Sequence, residues 1–197
     1  MPVLALVFAF AMVNAHELGH TVLARFLGDR TAHYVLYEAT ATRSCFGCNF
    51  YDSSRLSDVA NIVVSFGGVV ASQFLCWIAI AILALAPRRP GWRWLLFTVV
   101  AVTWLGDLVF QLEQGLTAEI PPQLTRGPET TYTDYVAVIW FARDATGASL
   151  ETLKLSLLVG TIAYTGLLVL VLRWAAKRGA GSPSEVPRAG QSDLGAT

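Results

Sequence analysis

Charge is scarce in this sequence. Asp, Glu, Lys and Arg make up 14% of its 197 residues and cancel to a net charge of zero. Without a basic excess there is no electrostatic footprint for a nucleic-acid partner, and none is expected. Only three cysteines are present, which excludes a disulfide-built scaffold. No basic residue precedes the first apolar run, as a cleaved secretory leader would require, and cleavage near Ala15 would divide that run. Histidine is equally rare, at three residues, so the position of each one carries information.

What fills the chain instead is apolar: 54% hydrophobic residues and a mean hydropathy of +0.52. A bilayer span needs roughly 20 mostly apolar residues, and four stretches qualify. They run over about 2–27, 59–86, 92–112 and 153–176. The expected fold is all-α: one polytopic membrane domain over 1–176, with about four transmembrane helices and a metal site between the first three. The Gly-, Ser-, Pro- and Ala-rich segment 177–197 reads as a disordered tail. Lipid is therefore one expected partner. Trp92, Trp94 and Trp174 fall at span ends, where tryptophan anchors a helix to the interface.

Lys/Arg bias orients such a protein. Arg88, Arg89 and Arg93 lie around the second loop, and Arg173, Lys177 and Arg178 around the last span end. The long third loop holds Glu113, Glu119, Glu129, Asp134, Asp144 and Glu151. Both termini are expected on the cytoplasmic side.

Two of the three histidines form the motif His16-Glu17-Leu18-Gly19-His20 inside the first span. On a helix, positions i and i+4 lie one above the other on one face. His16 and His20 can thus offer two imidazole nitrogens to one zinc ion, expected at one per chain, with Glu17 beside them as general base. Ionisable groups at membrane depth are costly and mark function.

A catalytic zinc takes three protein ligands. Asp107 is the leading choice for the third, as the only acidic residue inside spans two to four. It lies 15 residues after Trp92, and His16 lies 14 after Pro2, so parallel spans place the two at one depth. Asp134 is the runner-up, because it precedes an apolar stretch, 135–142, too short to span. His33 reads as a surface residue. Gly67 with Ala71 and Gly68 with Ser72 form small-x-x-x-small pairs in span two, allowing close helix approach at the same layer. Cys45 and Cys48 form a C-x-x-C suited to a local disulfide, and Cys76 reads as a core residue.

Residues Asn14 to Gly28, N-A-H-E-L-G-H-T-V-L-A-R-F-L-G, resemble the active-site helix of the site-2 protease family of zinc intramembrane metalloproteases. The resemblance covers roughly the first 110 residues. Gly68 to Ser72 looks like the family's Gly-Pro-x-Ala-Asn motif, with Val69 in place of proline and Ser72 in place of asparagine. Gly106-Asp107-Leu108 occupies the place of its Leu-Asp-Gly motif. The resemblance implies a metalloendopeptidase that hydrolyses a peptide bond in or near a transmembrane segment of another membrane protein. Asn14, Gly68 and Ser72 would then help position that substrate. The alternative is a non-proteolytic membrane scaffold or regulator that keeps the metal site, or binds a partner helix, without turnover.

Overall fold

The computed structural model describes residues 2–39, 44–85, 90–117, 119 and 133–180. The first apolar run forms α1 (Pro2–Leu27), and it leads through a short turn to a hairpin of β1 (His33–Ala39) and β2 (Ser44–Phe50). The strands are antiparallel, with His33 opposite Phe50 and Val35 opposite Cys48. The fold is mostly helical, as expected, and this hairpin is its one sheet among the described residues. Tyr34, Val35, Leu36 and Tyr37 carry the branched and aromatic side chains that favour a pleated strand.

α2 (Asp58–Leu85) touches α1, α3, α5 and α6 and is the central element. α3 (Pro90–Thr103) passes through one π-helical segment, Trp104–Val109, into α4 (Phe110–Thr117). α5 (Asp134–Thr146) is short, and α6 (Leu150–Ala180) closes the described chain. The last helix runs past the expected boundary at residue 176, so 177–180 are helical; the rest of the expected tail, together with Arg88, Arg89 and Glu129, lies outside the described residues.

Among the described residues, four helical stretches are long and apolar enough to cross a membrane: Leu6–Leu27, Asp58–Leu85, Gly91–Thr117 and Leu150–Arg178. Their outward faces carry exposed Leu6, Phe10, Phe26, Phe74, Leu155 and Leu170, a surface suited to lipid rather than water. Arg93 near the start of α3 donates to the carbonyl of Ala176 near the end of α6 (2.9 Å), so these two ends lie on one side of the bundle.

Two interactions fix the helices where the site forms. α1 crosses α2 at Gly19 and Gly67, where a methyl group on Gly19 would overlap the Gly67 carbonyl. Backbone contact of this kind supplies packing where lipid offers no hydrophobic drive between helices. On the other side of α2, Gln73 donates to the Thr103 carbonyl (2.9 Å) and accepts from the Tyr164 hydroxyl (3.0 Å), which itself accepts from the Trp77 indole (3.0 Å). The polar groups of this network are therefore paired, as apolar surroundings demand.

α5 is about 20 Å long at 1.5 Å per residue, too short to span. Residues Asp134 to Phe141 are all buried, and the helix packs against α2, α4 and α6. The apolar stretch 135–142, expected to be too short to span, falls within this helix.

Candidate metal centre

His16 and His20 point from α1 toward α2, where Gly68 lies directly against both rings. Each imidazole is held through its Nδ1 atom. His20 Nδ1 is 2.7 Å from the Val64 carbonyl oxygen, and His16 Nδ1 is 3.1 Å from Asp107 Oδ2. A carbonyl and a carboxylate only accept, so both Nδ1 atoms carry the proton. In neutral rings both Nε2 atoms are then bare lone pairs.

Those two lone pairs face each other at 3.2 Å. Asp134, the first residue of α5, brings its carboxylate to both: Oδ2 is 3.0 Å from His16 Nε2 and Oδ1 is 3.1 Å from His20 Nε2. With both rings neutral, three electron-rich groups converge, and Asp134 Oδ2 finds no hydrogen-bond donor among the described residues. All three residues are buried. A cation, a proton or a metal ion, satisfies such a cluster. Tetrahedral coordination at 2.0–2.1 Å would separate ligand atoms by about 3.3 Å. The observed separations fit that size, and the group can hold a metal ion.

The backbone N–H of Asp134 donates to Gln111 Oε1 of α4 (3.1 Å), which ties the start of α5 to the third span.

The sequence expectation ranks the two aspartates the other way. Asp107 does reach the layer of His16, as the depth argument requires, but on the Nδ1 side of the ring, away from the converging Nε2 atoms. It lies within the π-helical segment, a local widening of the helix that is rare and recurs at functional sites. The cluster accordingly draws its carboxylate from α5 and not from the first three spans. The signal for Asp134 is its place at the head of a short apolar segment; the π-helical turn leaves no mark in the sequence.

The remaining expected residues surround this cluster or lie apart from it. Glu17 is half-buried beside the cluster and accepts a hydrogen bond from the Asn49 backbone N–H of β2. The hairpin therefore lies along the Glu17 side of α1. Thr21 Oγ1 contacts Asn49 Oδ1 (3.1 Å), and Gly47 adjoins Val13, Asn14 and Glu17. Asn14 donates to the Phe10 carbonyl (2.6 Å) and accepts from the Tyr34 hydroxyl. Ser72 contacts Asp107, and Gly68 abuts the two rings. His33 is exposed on β1, stacked on Phe50. Cys48 is disulfide-bonded, while the Cys45 side chain lies outside those described; Cys76 is free and buried. No family model, curated protein or solved structure matches the chain.

Proposed function

We propose that the protein is a zinc-dependent intramembrane endopeptidase of the site-2 protease type. One observation carries the reading: two Nε2 lone pairs and the Asp134 carboxylate converge beside a glutamate within the first span. A metal-storage or purely structural site has no use for that glutamate. His16, His20 and Asp134 would hold the ion. Bound there, zinc would supply Lewis acidity, which acidifies water and polarises a peptide carbonyl. Glu17 would accept the proton of the attacking water on its carboxylate and return it to the departing amide nitrogen. The Asn49 N–H keeps that carboxylate oriented, and β2 covers its flank. The expected substrate is a transmembrane segment reached through the lipid, and both termini would be cytoplasmic.

A second reading, a metal-binding scaffold without turnover, draws on a specific feature. Ser72 and Asn14, the side chains that would grip a substrate backbone, are committed to Asp107 and to Tyr34. Cleavage separates the two readings. In zinc-loaded liposomes containing a tagged transmembrane reporter with a helix-weakening Gly-Pro core, the wild type should cut and Glu17→Gln should not, although both bind one zinc. Equal cutting by Glu17→Gln removes the base, and no cutting across a panel of reporters leaves the scaffold.

A further inference from the structure

Asp107 is 4% exposed and lies at membrane depth, where a carboxylate persists only if donors or a cation satisfy it. Its Oδ2 meets two groups, His16 Nδ1 at 3.1 Å and the Ser72 hydroxyl. Ser72 Oγ is also 2.9 Å from its own-helix carbonyl at Val69, but its single proton goes to the charged acceptor, the stronger of the two. Ser72 itself is fully buried, so no water competes for that hydroxyl.

We infer that Ser72 and Asp107 form a positioning pair for His16, which orients the imidazole and fixes its tautomer without ligating the metal. The inference rests on the metal-site reading. The chain of contacts runs from the Ser72 hydroxyl on α2, through the Asp107 carboxylate on the π-helical turn, to the Nδ1–H of His16 on α1. It leaves Nε2 as the only free nitrogen of that ring and aims it at His20 and Asp134. His20 receives the same service from the Val64 carbonyl, a neutral acceptor. The two rings are therefore unequal: the carboxylate makes His16 the more basic ligand. Outer partners of this kind are worth about 10–100-fold in metal affinity.

The π-helical segment explains how Asp107 reaches this position. With more residues per turn than an α-helix, the segment changes the azimuth of the side chains within it relative to a regular helix. A regular helix would direct residue 107 elsewhere around the span. The widened turn is thus the backbone feature that delivers the carboxylate to the Nδ1 side.

The test is cobalt binding by the full-length protein in detergent, read by titration and by the visible d–d absorption. Wild type should bind one Co²⁺. Asp107→Asn should still bind one, with Kd raised about 10–100-fold and an altered d–d band, because an amide is a poorer acceptor for the imidazole N–H. Ser72→Ala should show a smaller shift in the same direction, and as the gentler change it carries the test if Asp107→Asn does not fold. Asp134→Asn should lose stoichiometric binding. Loss of the ion in Asp107→Asn with retention in Asp134→Asn would make Asp107 a ligand and overturn the proposal. So would wild-type affinity and spectrum in both Asp107→Asn and Ser72→Ala. A wild type that takes up no cobalt or zinc would instead remove the metal reading itself, and the positioning pair with it.

Discussion

Gly68→Ala places one methyl group where two ring nitrogens already stand. Its Cβ would overlap Nε2 of both His16 and His20 and lie 2.6 Å from His16 Cδ2. Ordinary contact begins at 3.4 Å, so the His16 ring would have to retreat by at least about 0.8 Å. Metal–ligand distances tolerate only about ±0.2 Å. His16 cannot retreat freely, because its Nδ1 is held by Asp107, nor can His20, held by the Val64 carbonyl. Overpacking of this size costs about 1–3 kcal/mol. If that strain falls on the bound state, metal affinity drops by about 5- to 150-fold, at 1.4 kcal/mol per tenfold. Competition against a chromophoric chelator, in detergent, reads the change directly. A Gly68→Ala protein that binds zinc with wild-type affinity would refute the geometry, since the methyl could not then share the space assigned to the converging ligands.

Two other perturbations test the frame around the site. Gly19→Ala drives a methyl into the Gly67 backbone, and backbone cannot rotate away; it should destabilise the α1–α2 crossing by about 1–3 kcal/mol, seen as a lower melting temperature of the metal-free protein, and an unchanged melt would contradict that crossing. Asp29, fully buried between α1 and the hairpin, accepts from the Thr31 N–H (3.0 Å), the Thr31 hydroxyl and the Asp52 N–H (2.7 Å). Burial opposes its charge, but these donors outweigh burial and hold its carboxyl below the usual 3.8. A depressed carboxylate stabilises the fold fully above its unfolded pKa, near 4, and loses that contribution as pH falls through the folded value. Asp29→Asn should therefore cost about 1–3 kcal/mol at pH 7, and the gap to wild type should close below about pH 4, measured by hydrogen exchange across β1 and β2. A gap that is constant with pH would contradict the assignment.

Much of this arrangement is legible in the sequence, because membrane helices obey simple geometry. An i, i+4 histidine pair must share a face, and glycine pairs in span two mark where another backbone comes close. Counting residues from span ends puts Asp107 at the depth of His16, and the two do meet. Counting gives depth but not azimuth. Which side of the imidazole Asp107 meets depends on the turn at Trp104–Val109, and a π-helical turn follows from packing rather than from local pattern. Asp134 illustrates a different limit. Its helix does not span, so no depth rule applies, and its approach to His16 and His20 comes from packing of α5 against α2. The hairpin falls outside the all-α expectation, and its position along Glu17 rests on long-range contacts such as Thr21 to Asn49.

Whether His16, His20 and Asp134 hold one metal ion is decided by zinc per chain, measured by plasma mass spectrometry on detergent-purified protein after zinc loading and desalting. Wild type should carry one zinc, and His16→Ala and Asp134→Asn should each carry essentially none while remaining folded by circular dichroism. Zinc retained at wild-type stoichiometry in Asp134→Asn, or absent from well-folded wild type, would contradict the account.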